Sequence, residues 1–326
     1  MTKSRILMAA AGIATAALFA GGALAEEVVL KGVSAFADGT TFTKNFQRFV
    51  EKVNATGKGV IQINYVGGGG KVMNPFELGN AIKGGTVDVG NLPGAFYTKL
   101  MPEADAFKLS QFTIQEERKN GAWAYVNELH NQKVNAQHIA RQKGCVPFHL
   151  YLRKGASIDK PDLTGLKIRV TPIYRAFFDS MGATNIRTKP GDVYTALERG
   201  TVDGYGWPTQ GVLDLGWHEV TGARVDPGFY RASVEVLMNL DSWNKLNDAQ
   251  KGVIMKASEW LESLCDEDKK INLTEIQRQA DAGIATIAFS KNVSDEYLKQ
   301  AYDTGWAAFI KANPETGPKL RGLLSK

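Results

Sequence analysis

The sequence predicts an α/β protein of two lobes joined by a hinge, with one long helix running along both. Three observations carry this. The 326-residue chain keeps 301 residues once an expected 25-residue leader is removed, enough for two domains when single cores stop growing at roughly 250–300 residues. Its first part alternates strand and helix patterns, and a second series of the same kind starts near Val146. Such alternation predicts mostly parallel sheets covered by helices on both faces, with ligands at the carboxyl ends of the strands.

The elements follow in order. Met1–Arg5 is a basic start, Ile6–Gly22 is apolar or small, and Ala23-Leu24-Ala25 is an A-x-A pattern before Glu26. Residues 1–25 therefore read as a secretory signal removed after Ala25. A membrane anchor fits less well, because the stretch is short and rich in Gly and Ala, and no later run approaches ~20 apolar residues. Val28–Ser34 is a first strand, and Phe42, Phe46, Phe49, Val50 and Val53 recur at helical spacing up to Gly57. Val60–Val66 alternates as a second strand, Pro75–Lys83 is a short helix, and Val87–Gly90 is a third strand.

The second series runs through strands at Val146–Leu152 and Gly165–Val170 and helices at Tyr174–Met181 and Val193–Arg199. Val234–Leu240 is a buried strand that returns to the first lobe. Asn247 with Gln250 reads as a capping box, and an apolar stripe from Val253 to Cys265 continues helically to Ala280 without a proline. That is a helix of about 35 residues, long enough at ~1.5 Å per residue to span both lobes. The expected division is 26–149 with 234–276 as lobe I, and 150–233 with 277–326 as lobe II. Cys145 and Cys265 are compatible either with a disulfide in an oxidising compartment or with two buried thiols.

Charge is scattered. The formal net value is +5, with 39 Lys and Arg interspersed among 34 Asp and Glu, which argues against nucleic acid or a membrane surface as partner. Gly67–Lys71 suggests a phosphate loop, but Val72 stands where Ser or Thr would hold Mg²⁺, so a glycine turn fits better. The four histidines show no zinc spacing, Gly32-Val-Ser34 lacks the closing glycine of a hydrolase elbow, and no nucleophile pairs with a base. No metal, cofactor or catalytic residue is expected.

What remains suits gripping a small acid. Arg169 ends the Leu-Lys-Ile-Arg-Val strand before Thr171-Pro172, and Arg153 follows the strand ending at Leu152, so in a parallel sheet both stand at one cleft edge. By position alone a strand-end arginine is more often a surface charge or a salt-bridge partner. A guanidinium nevertheless makes two parallel hydrogen bonds to a carboxylate and stays charged at any physiological pH. Tyr174, Tyr205, Trp207 and Phe36 supply aromatic walls.

Six segments together resemble the solute-binding subunit of tripartite ATP-independent periplasmic (TRAP) transporters, of the dicarboxylate-binding type. They are Gly85–Gly90, Pro102–Phe107, Asp162–Val170, Gly182-Ala183, Val193–Gly204 and Trp243–Gln250. The resemblance covers nearly the whole mature sequence and implies a two-lobe periplasmic binding protein that closes on an organic acid and serves small and large membrane subunits. It places the ligand-orienting arginine at Arg169 and a second at Arg153. It also puts Trp207 before Pro208, where sugar-acid binders have asparagine, and Gly206 where keto-acid binders have an acidic metal ligand. Together with the space Gly206 leaves, this favours a monocarboxylate with an apolar or aromatic tail. C4-dicarboxylates and 2-oxo acids remain alternatives, as does a sensing role. From lobe I, Ser34, Phe36, Asn91 and Pro93 are expected to close over the tail.

Overall fold

The structure, a computed structural model, describes residues 27–326; the expected signal segment lies outside the described residues. Lobe I begins with β1 (Val28–Ser34), α1 (Thr41–Thr56), β2 (Ile61–Gly67), α2 (Leu78–Lys83) and β3 (Val89–Leu92), followed by α3 (Ile114–Lys119), α4 (Ala122–Val134) and β4 (Ala136–Gln142). The alternation generates a parallel trio, β2-β1-β3. The third strand starts two residues later than the pattern suggests, and Asp88 just before it accepts at its carboxylate from the Lys31 amide and the Ser242 hydroxyl.

Lobe II contains β5 (Pro147–Arg153), β6 (Lys167–Val170), α5 (Arg175–Ser180), β7 (Thr184–Arg187), α6 (Val193–Glu198), β8 (Gly204–Pro208), β9 (Thr221–Asp226) and β10 (Phe229–Arg231). The chain then returns to lobe I with β11 (Val234–Asn239), α7 (Leu240–Lys245) and α8 (Asp248–Glu262). It continues through α9 (Cys265–Asp281), β12 (Ala285–Ala288), α10 (Lys291–Ala312) and α11 (Gly317–Leu324). β11 inserts antiparallel between β3 and β4, completing the order β2-β1-β3-β11-β4. The lobe II sheet runs β12-β9-β5-β8-β6-β7.

Three expectations need correction. The first crossing between lobes falls between β4 and β5, so all of β5, including 147–149, belongs to lobe II. The C-terminal residues do not all stay there: α11 packs on α4, and the Leu323 and Leu324 carbonyls accept from Asn120 and Gln111. The long helix is two helices, interrupted at Ser263–Leu264. The N–H of Ser263 still bonds to Glu259 and Trp260, and that of Leu264 turns back to Leu261. Cys265, the first residue past the break, forms a disulfide with Cys145 in the first crossing, so the interruption sits at the hinge.

α8 does begin with the expected box, Asn247 and Gln250 bonding each other's backbone amides. The lobe I sheet is covered on both faces. Phe46, Phe49 and Val53 of α1 and Ile254 and Leu261 of α8 fill one side. The other side shares a continuous apolar core with lobe II. Each such fully buried side chain contributes about 1.5–3 kcal/mol.

Candidate functional site

Between the lobes lies a cavity of about 430 Å³, walled by Phe36, Thr40 and Phe42 from lobe I and by Lys189, Trp207 and Leu215 from lobe II. A smaller space of about 40 Å³ continues inward past Phe36, Phe42 and Trp207 to Pro93, Thr171 and Tyr174. The outer volume falls in the ~300–1,000 Å³ range of small-molecule sites. Among the described residues no group of three or more His, Cys, Asp or Glu side chains is placed to hold a metal ion, and no helix is long and apolar enough to cross a membrane.

Glycines bring the lobe I wall into place. Gly68 and Gly69 run against the backbone of residues 35–38, where a Cβ on Gly69 would stand 2.0 Å from the Ala35 carbonyl oxygen. The Gly69 amide donates to the Phe36 carbonyl at 3.0 Å. The Gly67–Gly70 run is thus a packed support for the Phe36 loop. Ser34 and Asn91 lie beneath that loop. Asn91 donates to Ser34 Oγ at 2.9 Å and to the Phe42 carbonyl at 3.1 Å, and Gln142 donates to Asn91 Oδ1 at 2.8 Å. Both are fully buried with their side chains bonded internally, and neither lines the cavities. Phe36 and Pro93 do line them.

In lobe II, Arg169 sits on β6 with 0% of its surface exposed. Nε and Nη2 donate to the Thr188 carbonyl at 3.0 and 2.7 Å, and Nη1 donates to Tyr174 Oη at 2.9 Å. Tyr174 in turn donates to the Gly206 carbonyl at 2.6 Å. Three of the five guanidinium N–H groups are therefore used, all on neutral oxygens, and two remain. The other buried arginines differ: Arg141 pairs with Glu117 and Arg224 with Asp226. An enclosed cation facing only neutral acceptors is costly, by several kcal/mol per unpaired ion, and an arriving anion would offset that cost. Arg169 does not itself line either cavity; the cavity walls nearest it are Tyr174 and Trp207, whose ring centroid is 5.7 Å from the guanidinium carbon.

Two further polar groups lack partners there. Trp207 Nε1 and Thr171 Oγ1 are buried without a hydrogen bond, and both residues line the inner space. An unsatisfied buried donor costs ~1–3 kcal/mol. Thr171 was not anticipated from the sequence, although it follows Arg169 by two residues and so shares its side of an extended segment. Phe42, which helical spacing assigns to the core, also walls the cavity, and its ring meets Trp207 edge-on at 6.0 Å.

The remaining expected residues are not brought to the cleft. β5 runs antiparallel to β8 while β6 runs parallel to it, so the carboxyl ends of β5 and β6 point in opposite directions. Arg153 therefore does not stand beside Arg169. It pairs with Asp203 before β8 at 3.0 Å, and Asp203 also accepts from the Lys167 amide at the opposite end of β6. Tyr205 is enclosed, stacked on Tyr151 with centroids 5.0 Å apart and bonded to Thr221 at 2.8 Å. Gly206 does not open space beside Trp207, since a Cβ there would lie 2.5 Å from the Tyr174 ring. Its missing side chain is what lets Tyr174 reach both Arg169 and the backbone.

With this geometry the chain can be compared with known proteins. A family model, DctP, described as bacterial extracellular solute-binding protein, family 7, matches residues 33–312. The chain is 23% identical over 248 residues to a monocarboxylate 2-oxoacid-binding periplasmic protein of Nostoc sp., covering 72% of this chain and 66% of that protein. It is 26% identical over 151 residues to a solute-binding protein of Roseobacter denitrificans, covering 41% and 46%. It spans slightly less than two thirds of the first relative's length and under half of the second's.

Among solved structures, a marine metagenome TRAP solute-binding protein specific for aromatic acids, in complex with 3-hydroxybenzoate, superposes with a TM-score of 0.78 at 22% identity, covering 92% of this chain and 97% of that one. A TRAP solute-binding protein from Bordetella bronchiseptica, with calcium and picolinate in its active site, has a TM-score of 0.78 at 20% identity, covering 92% of each chain. One from Desulfovibrio salexigens with bound orotic acid has a TM-score of 0.80 at 16% identity, covering 91% and 97%. These likenesses establish the shared two-lobe fold, and the family match, which extends over most of the described residues, shows that the chain belongs to the bacterial extracellular solute-binding proteins of family 7.

Proposed function

We propose that this protein captures a small organic acid between its lobes, a monocarboxylate with an apolar or aromatic tail, and delivers it in the periplasm to the small and large membrane subunits of a TRAP transporter. The observation that carries the reading is Arg169, an enclosed cation without an anionic partner, set behind the cavity-lining Tyr174 and Trp207. As the lobes part, a carboxylate docks on its two unused N–H groups, with Tyr174 holding the guanidinium in plane. Trp207 Nε1 and Thr171 Oγ1 take further ligand oxygens. The tail lies among Phe36, Phe42 and Leu215, which offer apolar area for it. Closure removes water and strengthens the ion pair. Proteins of this fold bind aromatic acids and picolinate, and others bind sugar acids such as glucuronate and galactonate, so the ligand class rests on the cleft residues.

The test is a thermal-shift and calorimetric screen of residues 26–326 against aromatic monocarboxylates, 2-oxo acids, C4-dicarboxylates and sugar acids. Ligand at about 100 times Kd adds ~2.7 kcal/mol to stability. Shifts confined to monocarboxylates, with or without a 2-oxo group, are expected. A response to dicarboxylates or sugar acids alone would overturn the pocket assignment, and no response to any acid would overturn the capture reading.

A further inference from the structure

The two lobes also touch through a charged contact that the proposed ligand does not supply. α1 of lobe I begins at Thr41, and its cap residue Thr40 makes no side-chain capping bond; its hydroxyl donates to the Ala37 carbonyl at 2.7 Å. The first turn carries no acidic residue. The position is filled from the other lobe. Asp214, in the segment between β8 and β9, places Oδ2 2.6 Å from the Thr41 amide nitrogen, which donates to it. A helix N-terminus carries about half a positive charge and unpaired N–H groups, so a carboxylate at this point gains both a hydrogen bond and a favourable dipole interaction.

The placement makes the contact conditional on closure. Asp214 and Thr40 both line the outer cavity, together with Phe42 of the same turn of α1. Nearby, Phe42 meets Trp207 edge-on, and Gly211 leaves room for both: its absent Cβ would stand 3.3 Å from the Phe42 ring and 3.2 Å from Trp207 Nε1. Lobe II thus reaches over with a carboxylate on the same loop that passes the ligand wall. When the lobes separate, Asp214 and the Thr41 amide both return to water, and α1 loses its cap.

We propose that Asp214 is a closure latch: a lobe II carboxylate that caps a lobe I helix only in the closed form, biasing the open–closed equilibrium and setting how fast captured acid escapes. It acts on the lobes and not through contact with cargo. The inference rests on the capture reading only in requiring that the lobes part and close.

The geometry offers a clean partner deletion. Thr41 is the first helical residue, where proline is tolerated because its missing N–H has no intrahelical acceptor. Thr40 already has the extended conformation required before proline, with φ −76° and ψ 152°. Thr41→Pro therefore removes the donor and leaves Asp214 intact, while Asp214→Ala removes the acceptor. A capping carboxylate that supplies both the hydrogen bond and the dipole interaction corresponds to roughly 2- to 10-fold in an equilibrium constant.

The experiment measures lobe separation by double electron–electron resonance between labels on Glu51→Cys of α1 and Glu198→Cys of α6, without ligand, and ligand dissociation rates by stopped flow. Each single variant is expected to shift the ligand-free distribution toward longer distances and to speed dissociation about 2- to 10-fold. The double variant should be no more affected than either single one, because both delete the same bond. Asp214→Asn, which keeps shape and an acceptor oxygen, should fall between wild type and Asp214→Ala, and it carries the test if Thr41→Pro fails to fold. Unchanged distances in the single variants, or additive effects in the double, would overturn the latch. A change in affinity that varies with the acid while the ligand-free distances stay fixed would also overturn it, by making Asp214 a ligand contact. Because the distances are recorded without ligand, they read the latch even if every acid in the screen fails to bind.

Discussion

Replacing Arg169 with methionine should separate what this residue does for binding from what it does for folding. In the structure the guanidinium is fully enclosed and bonded only to the Thr188 carbonyl and the Tyr174 hydroxyl. Methionine fills similar volume without charge. Folding then no longer carries the desolvation of an unpaired cation, although the Thr188 carbonyl and Tyr174 hydroxyl lose their donor, at about 1–3 kcal/mol for each group left unsatisfied. The two effects oppose each other, so the ligand-free variant should unfold within about 2 kcal/mol of wild type. Binding has no such compensation: the ligand carboxylate loses a buried charge partner, a cost of about 2–5 kcal/mol, which is roughly a 30- to 5,000-fold rise in Kd. Urea unfolding of the free protein and titration calorimetry with the best acid from the screen read the two quantities. A variant that binds within about fivefold of wild type, or one that loses more than ~4 kcal/mol of stability with its binding loss explained by unfolding, would refute the assignment of Arg169 as the anion site.

Further predictions concern neighbouring groups. Trp207→Phe removes an unpartnered indole N–H, so free-state stability should hold while affinity for acids with a second oxygen falls about 2- to 12-fold, as calorimetry would show. Thr171→Val should behave likewise and leave affinity for unsubstituted monocarboxylates unchanged. Reduction of Cys145–Cys265, whose partners are 120 residues apart, should lower stability by about 2–5 kcal/mol, seen as a drop in melting temperature with reductant. Glu235, buried on β11, has its pKa pushed up to about 7 chiefly by desolvation. Its contribution is complete below about pH 4.5 and is lost as pH rises through 7. Glu235→Gln, which mimics the protonated acid, should therefore gain on wild type between pH 5 and pH 8 by on the order of 2–3 kcal/mol, measured by urea unfolding across that range.

Much of this molecule is legible from local pattern. Strand alternation, helical spacing from Phe42 to Val53, the Asn247–Gln250 box and the motif around Arg169 are each contained in a short stretch, and each marks a feature the structure contains. Helix continuity is less legible: apolar spacing runs smoothly through Ser263 and Leu264, and the break there falls beside the Cys145–Cys265 link, whose partners are 120 residues apart.

By itself the sequence determined the α/β class, the two-lobe arrangement and the family, because these follow from periodicity and from contiguous motifs, while the enclosure of Arg169 is a tertiary fact. Tertiary structure alone decided strand direction in lobe II, which separates Arg153 from Arg169. It also decided the cysteine pairing, the use of Gly206 as a seat for Tyr174, the internal bonding of Ser34 and Asn91, and the meeting of Asp214 with the start of α1. The physical reason is common to all of these. Which side chain faces which depends on strand pairing and lobe closure between residues far apart in the chain, and a local pattern carries no record of the partner it will meet.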